Sequence, residues 1–150
     1  MKKQIKKRVD IVKIKLCKES SILYEPRKIN SPKDAAKLAI NFLGDLDREG
    51  FIVISLDIKN QPLTINLVSI GTLNSNLIHP REVMKSAILS NAANIIVAHN
   101  HPSGILEPSK EDISITTRLK ESGKIIGIEL LDHLIVSNED YISLRERGII

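Results

Sequence analysis

The stretch from His99 to Asp112 restricts this chain more than any other, because a buried strand, a sharp turn and a helix start must meet there around four polar side chains. It reads His99-Asn-His101-Pro-Ser-Gly-Ile-Leu-Glu-Pro-Ser109-Lys-Glu-Asp112, the spacing H-x-H-x7-S-x2-D. The residues before it, Asn94-Ile-Ile-Val-Ala, form a short run rich in Ile, Val and Ala and predict a buried strand. Side chains two apart on a strand point the same way, so His99 and His101 can face one centre. Pro102-Ser103-Gly104 ends the strand with turn chemistry. Ser109 then opens a helical pattern carrying Ile113, Ile115, Thr116 and Leu119. Asp112 falls in the first turn of that helix, where the N-terminus favours a carboxylate.

Two histidines and one carboxylate are the ligand set of a catalytic zinc, which keeps its fourth position open for water. Water so bound becomes a nucleophile near neutral pH. The expectation is a zinc hydrolase with one Zn2+ per chain, held by His99, His101 and Asp112. Ser109-x-x-Asp112 is also a capping-box pattern, and the two roles are compatible. A water nucleophile needs a proton acceptor. Glu107 and Glu111 are not well placed for it. Glu49 lies just before the predicted strand Phe51–Leu56 and reaches the site if that strand lies beside the one ending at His99. The spacing equally allows a solvated glutamate ahead of a strand.

The H-x-H-x7-S-x2-D pattern resembles the JAMM motif of the JAB/MPN metalloprotease superfamily, and its context is similar to the RadC-like branch. The matching segments are Gly71-Thr-Leu-Asn-Ser, His79-Pro-Arg-Glu82, Asn91-Ala-Ala, Ala98-His-Asn-His-Pro-Ser-Gly104, Pro108-Ser-Lys-Glu-Asp-Ile113 and Leu131-Asp-His-Leu134. The resemblance covers residues 31–150. It implies an α/β (α+β type) fold, a mixed β-sheet flanked by helices in a deaminase-like three-layer α-β-α sandwich. It implies zinc on His99, His101 and Asp112, Glu49 as general base, and Ser109 as a stabiliser of the oxyanion. Residues 1–30 are then a basic N-terminal arm with an edge strand, and 31–150 the catalytic domain. Fuller RadC proteins carry a helical domain ahead of this core, for which about 30 residues are too few, so the short single-domain form is expected.

At 150 residues one domain is expected. Only 3% of residues are aromatic, so the core must be aliphatic, and few rings are available to stack on nucleic-acid bases. Residues 1–18 carry +7 and the remainder −3. The basic arm is therefore the one candidate nucleic-acid contact, although a solvated terminus explains it more simply. Cys17 has no partner cysteine and is expected to pack as a small apolar residue, outside any oxidising compartment. The charged start is followed by no uninterrupted apolar segment, and no run reaches the roughly 18 apolar residues of a membrane span. A cytoplasmic protein with no membrane partner is expected.

Ser31-Pro32-Lys-Asp34 predicts a capped helix start, with Ala35, Leu38, Ala39, Phe42 and Leu46 on one face. Strands are predicted over about 9–17 (an edge), 51–57 and 63–70. Pro80 opens a second helix with Val83, Met84, Ala87 and Ile88 inward. Gly123 suits the stop of the third. Ile125–Leu130 and Leu134–Val136 supply late strands. His79 and His133 are candidates for steadying the ligands, because metal-bound side chains need such partners. The functional expectation is a JAMM-type zinc metallopeptidase cutting a peptide or isopeptide bond. The alternative is a DNA-repair-associated or nucleic-acid-binding accessory protein of RadC type.

Overall fold

The computed structural model describes residues 1–71 and 78–150. Its elements run α1 (Pro32–Leu43), β1 (Gly50–Leu56), β2 (Pro62–Ile70), α2 (Pro80–Leu89), β3 (Asn94–Asn100), α3 (Lys110–Ile126), β4 (Glu129–Val136) and β5 (Tyr141–Ser143). The five strands form one mixed sheet in the order β2-β1-β3-β4-β5. β1 pairs antiparallel with both β2 and β3, β3 runs parallel to β4, and β5 returns antiparallel on β4. The parallel pair is joined through α3, as a parallel connection requires a crossover.

The expected helix start is formed: the Ser31 hydroxyl accepts the Asp34 N–H, Pro32 takes the first turn, and the Asp34 carboxylate accepts the Asn30 N–H at 2.9 Å. Ala35, Leu38, Ala39 and Leu43 bury against Ile52, Ile54, Ile96, Ala98 and Leu134. The opposite face of the sheet packs Phe51, Val53, Ile95 and Val97 against Val83, Met84 and Ala87 of α2 and Ile115 and Leu119 of α3. The strands β1 and β3 are covered on both sides, which is why they read as continuous apolar runs. The three-layer mixed-sheet architecture expected from the sequence is thus present.

Several details differ from expectation. Phe42 and Ile88 point outward, and Leu43 takes the inner position at the end of α1. Gly123 does not stop α3. It lies buried within the helix, where a Cβ would collide with the Ile128 carbonyl, and Gly127 is the stop, with φ 85°. Ile125 and Ile126 therefore belong to α3, and the two late strand segments are one strand, β4. Residues 9–17 form no edge strand. The arm over residues 1–23 is exposed and unpaired by any strand of the sheet, because alternation makes a strand only where a partner ladder exists. Cys17 is likewise exposed. No helix among the described residues is long and apolar enough to cross a membrane.

Candidate metal centre

The site lies where β3 ends and α3 begins. Antiparallel pairing sets Phe51 opposite His99, and the same register carries the chain ahead of β1 past the end of β3. Glu49 thereby arrives beside the histidines, as its position before a neighbouring strand required. Glu49, His99, His101 and Asp112 each offer a ligand atom, and these atoms lie within 4.8 Å of one another. His99 Nε2 is 3.2 Å from Asp112 Oδ1 and 3.8 Å from Glu49 Oε1. His101 Nε2 is 3.4 Å from Asp112 Oδ2 and 3.0 Å from His99 Nε2.

Local chemistry aims each group. Gly104, at φ 80°, turns the chain after His101, and His101 Nδ1 donates to the Ile105 carbonyl at 2.6 Å. A carbonyl only accepts, so a neutral His101 keeps its lone pair on Nε2, toward the cluster. Asp112 is held by a complete capping box: Ser109 Oγ accepts the Asp112 N–H at 3.0 Å, and Asp112 Oδ2 accepts the Ser109 N–H at 2.8 Å. Ser109 thus takes its expected place at the head of α3, and a hydroxyl that accepts one bond can still donate another.

The electrostatics suit a cation. Burial pushes the Asp112 carboxyl up, but His101, His99 and the Ser109 N–H outweigh it and hold Asp112 below the usual carboxylate range. Hydrogen bonding to Asp112 raises His101 above the ordinary imidazole value, against burial. Two carboxylates and two imidazole nitrogens at these separations repel one another unless a positive charge lies among them. The donor set, nitrogen and oxygen with no thiolate, fits zinc or another borderline divalent ion.

Asn100 was left without a role by the sequence. It lies between the two histidines but faces the other way, and it is buried. Its Oδ1 accepts the Gly50 N–H at 2.6 Å and its Nδ2 donates to the Arg48 carbonyl at 2.9 Å, so it clamps the backbone on both sides of Glu49. At Gly50 itself a Cβ would press on the Leu46 and Leu43 side chains. Nothing in the sequence signals the clamp, because its partners lie about fifty residues upstream.

Among the other candidates, His133 is completely buried and touches the site: its Nε2 is 2.8 Å from His99 Nδ1. The Phe51 ring stacks on His99 with centroids 6.0 Å apart and meets His133 edge-on. His79 occupies the N-cap of α2 without a side-chain cap bond and is not part of the four-residue cluster. Ser103 Oγ accepts the Ile105 N–H and secures the turn. Thr72–Ser75 of the Gly71 segment lies outside the described residues.

A family model described as "RadC-like JAB domain" matches residues 29–149. The UPF0758 protein of Desulfitobacterium hafniense is 54% identical over 122 residues, which are 81% of this chain and 54% of that protein. UPF0758 proteins of Clostridium perfringens and Methanosarcina mazei are 51% and 48% identical, over 82% and 83% of this chain and 54% of each relative. The chain spans about half the length of the curated relatives it matches.

Proposed function

This chain belongs to the RadC-like JAB domain family, and from that premise we propose that it is a zinc-dependent metallopeptidase, hydrolysing a peptide or isopeptide bond with Glu49 as general base. The observation that carries the reading is the convergence of a fourth residue, the partly exposed carboxylate Glu49, on the His99–His101–Asp112 triad. Three ligands leave one position open, and a carboxylate beside that position is what distinguishes a hydrolytic centre from a structural one.

His99, His101 and Asp112 would hold the ion, which when bound supplies an acidified water and polarises a carbonyl. Glu49 accepts the proton of the attacking water and returns it to the departing nitrogen, a transfer that needs its carboxylate within one hydrogen bond of both. Asn100 keeps that carboxylate in place through the Arg48 and Gly50 backbone. Ser109 donates its hydroxyl to the oxygen that gains charge as the carbonyl is attacked. The half-buried site limits competing water around these groups.

Metal content tests the reading. Elemental mass spectrometry on the wild type and on the His99→Ala/His101→Ala variant should find about one zinc per chain in the first and none in the second. A wild type that stays metal-free after zinc is added overturns it. Incubation of the zinc-loaded protein with a peptide library then identifies the bond that is cut, and a zinc-loaded protein that cleaves no peptide or isopeptide overturns the peptidase assignment.

A further inference from the structure

Beyond the metal cluster, a buried chain of hydrogen bonds leads away from His99, and its direction can be deduced. Thr116 Oγ1 lies 2.6 Å from the Asp112 carbonyl and 2.6 Å from His133 Nδ1. The carbonyl cannot donate, so the single hydroxyl proton of Thr116 goes to it. Thr116 Oγ1 must then accept from His133, which places a proton on His133 Nδ1. His133 is completely buried, and its two ring nitrogens meet the Thr116 hydroxyl and the His99 imidazole rather than a carboxylate, so the buried ring is held neutral and its Nε2 carries only a lone pair. That nitrogen, 2.8 Å from His99 Nδ1, can only accept. His99 therefore carries its proton on Nδ1 and presents the lone pair of Nε2 to Asp112, His101 and Glu49.

We propose that Thr116 and His133 are positioning residues that lock His99 in the Nδ1–H form and so prepare its Nε2 for a metal ion. The inference rests on the metal reading of the cluster for its consequence, though not for the direction of the bonds. The relay also ties two ligands from different elements together: His99 on β3 is linked through β4 to the backbone of Asp112 on α3. A metal-bound histidine usually donates to a carboxylate or a carbonyl. Here a neutral imidazole stands in that place, and the carbonyl is reached two bonds later.

The sheet itself had to be re-phased to allow this. Leu130 faces α3 and Leu131 packs on the α1 side, so simple alternation would turn His133 toward α1. A bulge between the Leu130 and Asp132 pairings shifts the register by one residue, turning His133 toward α3 and Leu134 toward α1. The unpaired residue is Leu131, and Asp132 just after it is fastened by accepting the His133 and Arg145 N–H groups and the Ser143 hydroxyl.

The test uses the full chain, with Thr116→Val and Thr116→Ser. Valine matches threonine in shape but cannot accept the His133 proton, which frees His133 to take the opposite tautomer. Zinc affinity, read by competition with a chromophoric chelator, should fall about 10–100-fold in Thr116→Val and stay near wild type in Thr116→Ser. Imidazole nitrogen shifts of the metal-free wild type, recorded by NMR where both rings are neutral, should show Nδ1–H on His99 and His133. A proton on His99 Nε2, or unchanged zinc affinity in Thr116→Val, overturns the relay. If Thr116→Val does not fold, the wild-type tautomers alone decide. A wild type with the expected tautomers that binds no zinc overturns the metal reading and leaves the relay standing.

Discussion

Beneath α1 the centre of the sheet is hydrocarbon: Ile52, Ile54 and Leu56 of β1 lie beside Ile96 and Ala98 of β3, with Asn100 at the strand end. Beneath α2 and α3 the same two strands begin in the same way, with Val53, Ile95 and Val97, and end in a polar group, His99, with Phe51 stacked upon it and His133 against it. The two faces differ by a one-residue step along a strand. The first is specified by volume and tolerates any aliphatic set that fills it. The second is specified at its strand end by bonding as well, where His99, His133 and Thr116 are joined partner to partner. The candidate site lies on the second face, where the buried end of β3 meets the N-terminus of α3.

The largest effect that separates the faces is expected from Glu49→Gln. It should keep about one zinc per chain and lose turnover by roughly 10²–10⁴-fold. Undiminished cleavage would remove Glu49 from the chemistry. On the hydrocarbon face, Ile54→Ala should lower unfolding free energy by about 2–5 kcal/mol, since Ile54 is completely buried. Zinc stoichiometry should not change, and denaturant titration with metal analysis reads both. Loss of zinc from the folded variant would show that the faces are not independent. Asn100→Ala bridges them. It leaves the Gly50 N–H and the Arg48 carbonyl without their bonds, a cost of about 1–3 kcal/mol. Turnover should fall while zinc affinity holds, and equal losses in both would mean that Asn100 supports the histidines rather than Glu49. The smallest effect on stability is expected from Ser109→Ala, about 1 kcal/mol from the lost N-cap, visible in thermal unfolding. No change would mean that Ser109 caps nothing of consequence.

The arm over residues 1–23 reverses the logic of both faces. Val9, Ile11, Val12 and Ile14 are apolar yet exposed, while His99, Asn100 and His133 are polar yet buried. The alternation that predicts a strand over 9–17 is real in the sequence. Without a neighbouring ladder it buries nothing, because strand pairing is a property of two segments.

Much of the candidate site was legible because its spacing is local. H-x-H on a strand end and S-x-x-D on a helix start are short-range geometry, and the capping box and the convergence of His99, His101 and Asp112 follow from them. Glu49 was legible conditionally, once β1 is placed beside β3. Thr116 carried a usable signal, since it lies four residues after Asp112 on the same helical face, but in the sequence it reads as one more member of the inward stripe. The helix stop was misread because Gly123 and Gly127 are equally plausible by composition, and only the contact with Ile128 tells them apart.

What the sequence determined by itself is therefore what acts over one strand or one helical turn: the caps of α1 and α3, the histidine pair, the aliphatic core and the elements that carry them. What only the tertiary structure decided is what depends on partners distant along the chain. Among these are the Asn100 clamp on the residues flanking Glu49, and the bulge in β4 that turns His133 to α3. The relay from the Asp112 carbonyl that sets the tautomer of His99 is another. The clamp, and the bonds of His133 to His99 and to Thr116, join groups with no fixed separation in sequence, and such a bond is specified only when the sheet register has brought its two ends within about 3 Å.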